Sequence, residues 1–198
     1  MNKHILLYLF IFLILTQFRS IGYAQNNCLA FNGSDTIGTS YSGITGGASR
    51  TFEFWLYVNG STDDNMGGVP MTVGGWGKSG NSTNHFFVRL GSLNRIYLDV
   101  NGITIRSDKN MVDFNWHHVA FVYDSGIAKP YLLYIDGKLD TTMAGVALNT
   151  GKGRNFKLGS NEFNANYLYG KLDEVRIFNY ARSESMIKAD MNREYCSP

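Results

Sequence analysis

Three groups of residues in this chain have types and spacings that suit chemistry, and each can be tested by strand geometry. Cleaving a glycosidic bond takes two carboxyl groups roughly 5 to 9.5 Å apart. The nearest acidic pair is Asp173-Glu174. Neighbours on a strand point to opposite faces, so these two cannot face one sugar, and a structural pairing with Lys171 or Arg176 is the plainer role. His117-His118 fails as a chelating pair for the same reason, and packed or hydrogen-bonded histidines are expected instead. No serine sits on a G-x-S-x-G turn. The third group suits recognition. Sugars are held by aromatic faces laid on their rings and by planar polar groups at their hydroxyls. Period-two alternation places Glu53, Trp55 and Tyr57 on one face of a strand, His85, Phe87 and Arg89 on a second, and Tyr97 and Asp99 on a third. If these strands are neighbours, they form one polar-aromatic surface, with His85, Arg89, Tyr97 and Asp99 as its ligand contacts. Trp76, inside Gly74-Gly75-Trp76-Gly77, is expected as an exposed binding ring because its glycine neighbours cannot support it. The alternative, in which these aromatic side chains are core of a two-sheet sandwich, stays open, as does a hydrolase using Glu53 with Asp99.

The elements that would carry these residues are strands. Phe52, Phe54, Leu56 and Val58 alternate with polar or aromatic partners, as do the stretches 84–90 and 94–100. Asn101-Gly102 is a hairpin turn leading into Ile103–Arg106, and Asp136-Gly137 is a second tight-turn dipeptide. Residues 116–123, 131–135, 156–158 and 171–178 read as further strands. Residues 38–49 and 59–82 read as long Gly/Ser/Asn-rich loops. Only 183–192 reads as a helix, with Ser183 as N-cap and Glu184 in its first turn. Strands recur every 8 to 15 residues with turn chemistry between them and no crossover helices. The fold class is all-β, an antiparallel β-sandwich with one short C-terminal helix.

Residues 1–24 read as a secretory signal peptide. A basic start is followed by an unbroken apolar run of 11 residues, Ile5–Leu15, too short for a bilayer, and Gly22-Tyr23-Ala24 offers small residues before a cut at Gln25. Residues 25–198 are then one domain, secreted, periplasmic or held at the cell surface, with no membrane span after cleavage. Losing Lys3 and Arg19 leaves 16 basic side chains against 16 acidic ones. A neutral chain has no global attraction for phosphate backbones, so nucleic acid is excluded as a partner. In an exported chain with two cysteines, Cys28 and Cys196 are expected to form a disulfide, the alternative being two thiols that never meet.

Several segments, taken in order, carry a family resemblance: Phe31-Asn-Gly-Ser-Asp35, Thr51-Phe-Glu-Phe-Trp55, Trp116-His-His-Val-Ala-Phe-Val-Tyr-Asp124, Leu133-Tyr-Ile-Asp-Gly-Lys138, Lys157-Leu-Gly-Ser160, Gly170-Lys-Leu-Asp-Glu-Val-Arg-Ile-Phe-Asn179 and Ala181-Arg-Ser-Glu-Ser185. Their order and spacing resemble the laminin-G-like jelly roll of the concanavalin A-like lectin/glucanase superfamily. The likeness runs from about Leu29 to Met191. It implies two antiparallel sheets, one of them curved. It implies much less about function, because the fold hosts lectins, glycosidases and adhesion domains. The E-x-D-x-x-E strand of the superfamily's laminarinase-type glucanases is absent. The resemblance also implies a calcium site, which maps to Asn32, Asp35 and Asp173, with Asn32 standing where the family usually has Asp; Asp63-Asp64-Asn65 is a second acidic loop. The expectation is an exported, non-catalytic carbohydrate-binding or adhesion module, calcium-supported if that site forms, with a polysaccharide or glycan as partner and a surface protein as a further one. A glycoside hydrolase-related protein acting on polysaccharide, and a structural protein-interaction domain that binds no sugar, are the rival readings.

Overall fold

A computed structural model describes residues 28–58, 60, 70–78, 84–100, 103–145, 147–161 and 163–191. The expected signal peptide, Cys196, Asp63-Asp64-Asn65 and the expected Asn101-Gly102 turn lie outside the described residues. With strands numbered along the chain, the first sheet runs in space as β1 (Leu29–Asn32), β12 (Tyr169–Phe178), β3 (Arg50–Val58), β8 (His117–Tyr123), β9 (Tyr131–Ile135) and β10 (Lys138–Met143). The second runs as β2 (Ile37–Gly38), β11 (Lys157–Leu158), β4 (Met71–Lys78), β5 (Asn84–Gly91), β6 (Arg95–Val100) and β7 (Ile103–Asn110). Every pairing is antiparallel.

The alternation read from the sequence decides which face turns inward. Phe52, Phe54, Leu56 and Val58 of β3 and Val119, Phe121 and Tyr123 of β8 meet Phe86, Val88 and Leu90 of β5 and Ile96, Leu98 and Val100 of β6 in one core. Full burial of such a side chain contributes roughly 1.5–3 kcal/mol. The stretch 59–82, expected as loop, contains β4. Its glycines are packing positions: a Cβ on Gly74 would lie 2.7 Å from the Lys157 carbonyl oxygen, and one on Gly75 2.3 Å from that of Phe86. Strand β7 extends beyond its expected segment and β10 was not expected as a strand, because edge strands with one solvated face carry few apolar residues to announce them.

The helix α1 (Glu184–Met191) forms where the cap signal predicted, with the Ser183 hydroxyl accepting the Met186 N–H at 3.3 Å. It packs across the outward face of the first sheet, seating Ile187 on Ala120, Val122 and Tyr134. The second sheet has no helix against it among the described residues.

Candidate functional site

The expected surface is split between the two sheets. Glu53, Trp55 and Tyr57 face outward on the first sheet, while His85, Phe87, Arg89, Tyr97 and Asp99 face outward on the second. The first group is covered. Glu53 has no exposed surface, and its Oε1 accepts from Arg182 at 2.5 Å and from Arg176 at 3.4 Å. Arg182 reaches on to Asp190 of α1 at 2.5 Å and stacks over Phe178 at 4.3 Å. Trp55 and Trp116 pack with Cys28, Tyr57 and Met191. Burial pushes the Glu53 carboxyl up against the pull of both arginines. His118 lies beneath the same cover, 5.4 Å from the Trp55 ring. Burial first, then Arg176 and Arg182, pushes it down to about 4. His117 points the other way, as alternation requires, with Nε2 2.9 Å from Asp113 and Nδ1 3.1 Å from Asp136.

The second group is brought together. Strand register places Gly38, Lys157, Gly75, Phe87, Asp99 and Thr104 in one row across the sheet. The adjacent row holds Thr72, Arg89, Tyr97 and Arg106. Strands are about 4.8 Å apart, so these side chains are lateral neighbours. Asp99 sits between His85 Nε2 at 3.2 Å and an Arg89 guanidinium nitrogen at 3.5 Å. Burial alone would raise its pKa, but His85 and Arg89 bring it below the usual carboxylate value. The Arg106 guanidinium lies 5.8 Å from the Tyr97 ring centre. The polar atoms here that are buried without a hydrogen-bond partner among the described residues include Nδ1 of His85 and Nε of Arg89. Such atoms are rare in native structures, and a bound polar ligand or water would satisfy them.

Beside this cluster lies a groove of about 300 Å³ lined by Gly38, Thr39, Phe87 and residues 153–157. Gly38 and Gly153 border it without side chains, while the space over Gly75 is taken by the Phe87 ring, 2.5 Å from where a Cβ would be. Arg106 and Lys157 were not singled out in the sequence. Arg106 was within reach, because a two-residue Asn101-Gly102 turn pairs Val100 with Ile103 and hence Tyr97 with Arg106. Lys157 was not, because a two-residue strand has no periodicity.

Trp76 is a correction. It has no exposed surface, stacks on Phe86 at 4.7 Å between ring centres, and donates its Nε1–H to the Ile44 carbonyl at 2.9 Å. The glycines beside it face outward and the ring inward, so it is core and cannot lie on a sugar. The hydrolase pair is also a correction. Glu53 and Asp99 face outward on opposite sheets that pack about 10 Å apart, which is too far to flank one bond.

The implied calcium ligands do not converge. Asn32 pairs with Tyr169, four residues along β12 from Asp173, or about 13 Å. Asn32 Oδ1 accepts the Ser34 N–H at 2.9 Å and hydroxyl at 2.6 Å, Asp35 accepts the Asn32 N–H at 3.2 Å, and Asp173 accepts the Glu174 N–H at 2.7 Å. These oxygens satisfy their own turns, and the set does not fit one ion needing six to eight oxygens at 2.3–2.6 Å. Among the described residues no group of three or more His, Cys, Asp or Glu side chains is placed to hold a metal.

A family model described as the concanavalin A-like lectin/glucanases superfamily matches residues 19–188. The chain belongs to this superfamily. No curated protein matches the sequence significantly. Among solved structures, this superfamily member is similar to a candidate carbohydrate binding protein from Bacteroides ovatus, at 22% identity and TM-score 0.64, over 82% of this chain and 46% of that one. It therefore spans about half the length of that relative. It is similar to domain 4 of a GH43 extracellular arabinanase from Geobacillus stearothermophilus, solved with arabinotriose, at 17% identity and TM-score 0.60, over 82% of this chain and 75% of that one. It is also similar to the CBM40 of an IT-sialidase from Ruminococcus gnavus, at 15% identity and TM-score 0.61, over 83% of this chain and 98% of that one. At these identities the likeness shows a shared jelly-roll fold.

Proposed function

We propose that the protein is an exported, non-catalytic carbohydrate-binding module whose site is the outward face of the second sheet. The observation that carries this is the His85–Asp99–Arg89–Tyr97 cluster, held on rigid strands, partly exposed to solvent, and containing buried polar atoms that have no hydrogen-bond partner among the described residues. Jelly-roll neighbours named for sugar binding support the reading. Tyr97 supplies a ring that a pyranose can lie on, while Arg89, Asp99 and His85 supply planar donors and acceptors for its hydroxyls. Among the described residues no helix is long and apolar enough to cross a membrane. Export brings with it a Cys28–Cys196 disulfide. In its support, Cys28 and Met191 pack against the same tryptophan pair, five residues before Cys196.

A glycan and polysaccharide array, run with calcium and again with chelator, tests the module. Binding that survives chelation is the expected result, because the implied calcium ligands are dispersed. Binding lost in chelator would move the site to a metal outside the described geometry. Absence of binding in both conditions would favour the protein-interaction domain.

A further inference from the structure

We infer that the Phe163 ring is a second sugar platform of this face, so that the site takes a run of several sugars in a linear chain rather than one terminal sugar; this deepens the carbohydrate-binding reading and rests on it. Phe163 lies between β11 and β12 and, at 67%, is the most exposed large apolar side chain among the described residues. A single exposed apolar residue is ordinary on a protein surface. This one is held out by a built turn. The buried Asn161 side chain accepts the Phe163 N–H at 2.9 Å and the Ala165 N–H at 3.0 Å, and the Asn161 N–H donates to the Ala165 carbonyl at 2.9 Å. Asn164 and Asn166 take the left-handed backbone that asparagine adopts more readily than most residues, at φ 56° and 55°. The Thr72 N–H donates to the Asn166 carbonyl at 2.7 Å, which ties the turn to β4. The ring is thus ordered before any ligand arrives, and a sugar stacking on it meets no further ordering cost.

The turn stands beside the groove, because two groove residues reach it. The Arg154 guanidinium lies 5.4 Å from the Phe163 ring centre, and the Lys157 ammonium donates to Asn164 Oδ1 at 2.6 Å. A guanidinium laid on one side of an aromatic ring steadies it and leaves the opposite side for a ligand. Thr72 shares its row with Arg89 and Tyr97, so the turn bonded to Thr72 closes the end of the row in which Tyr97 stands. From β11, which Lys157 links to the turn, to β6, which carries Tyr97, is three strand spacings, or about 14 Å. One sugar ring cannot touch both aromatic side chains. A chain laid across the strands can, with Arg89 and Asp99 between its two ends to meet its hydroxyls.

The test is calorimetric titration of the protein with cello-, xylo-, manno- and arabino-oligosaccharides, each from the monosaccharide to the hexasaccharide, and with the same lengths of any further linear glycan bound on the array. In a series that binds, affinity should rise with length until the chain reaches from Tyr97 to Phe163 and then level off. Phe163→Ala should weaken the longest member about tenfold and leave the shortest bound member unchanged. Phe163→Trp should restore the longest member to at least its original affinity. Phe114→Ala removes a comparably exposed ring from the β7–β8 connection, at the opposite edge of the second sheet from β11, and should change nothing. Equal affinity for short and long chains, or full affinity in a folded Phe163→Ala variant, overturns the inference and leaves the carbohydrate-binding module standing. Equal weakening by Phe114→Ala overturns it as general surface apolarity. Binding confined to single terminal sugars also overturns it, whereas no binding to any glycan removes both.

Discussion

On the outward face of the first sheet, Glu53 lies fully buried between Arg176 and Arg182 under α1; on the outward face of the second, Asp99 lies between His85 and Arg89 with 26% of its side chain exposed. The residue types are nearly the same and the strand geometry is the same. Cover is the difference. Beneath the helix, an acid flanked by arginines is a clamp, its charges desolvated and each dependent on the others. Without a helix over it, the same grouping keeps 14–26% of each side chain exposed, within reach of a ligand. Residue type therefore does not separate a structural ion pair from the proposed binding site here; the element packed over it does.

The largest expected effect tests the core that supports both faces. Trp76→Ala should cost about 3–5 kcal/mol of stability, read by urea unfolding, as a large buried ring is lost. A small stability change with lost glycan binding would restore Trp76 as a ligand contact. Glu53→Ala should cost about 3–5 kcal/mol, since two arginines are left buried without their shared carboxylate. Asp99→Ala should cost within about 1 kcal/mol by the same method. Equal costs would erase the contrast between the faces.

The next effect is in pH. His118 titrates at about 4 when folded and near 6.5 when unfolded. Between those values the unfolded chain binds the extra proton, so stability falls as pH falls from 6.5 to 4, by up to about 3 kcal/mol. Thermal melts of His118→Gln should lack that decline. Asp136, held down to about 2 by His117 and Lys109 against the opposing effect of burial, adds its loss only below pH 4. A decline that persists unchanged in His118→Gln would place the sensitive group elsewhere. The smallest effect is Gly91→Ala. Its Cβ would meet Tyr97 Cε1 at 2.6 Å and displace the ring, weakening binding while unfolding stability falls by no more than about 1 kcal/mol.

Much of this was legible in the sequence, and the misses share a cause. Alternation gave the faces of β3, β5 and β6 correctly, since period two is a local property of one strand. It could not say that β3 belongs to a different sheet from β5 and β6, because strand order is set by long-range pairing. Hence the expected eight-residue surface divided into a covered half and an open one. The Gly74–Gly77 stretch misled for a related reason: glycines there admit Phe87 and the β11 backbone, which reads locally as a loop. The calcium trio failed on distance along a strand pair, since Asn32 and Asp173 belong to paired strands but sit four positions apart in register.

The most direct test is one glycan array probed with three proteins: the unaltered chain, Arg89→Ala with Tyr97→Ala on the open face, and Glu53→Gln on the covered face, each checked for folding by near-ultraviolet circular dichroism. The expected result is that the open-face variant stays folded and loses binding, while the covered-face variant is less stable and, at a temperature where it is folded, binds as the unaltered chain does. Binding retained by a folded Arg89→Ala, Tyr97→Ala variant would contradict the assignment of the site to the second sheet.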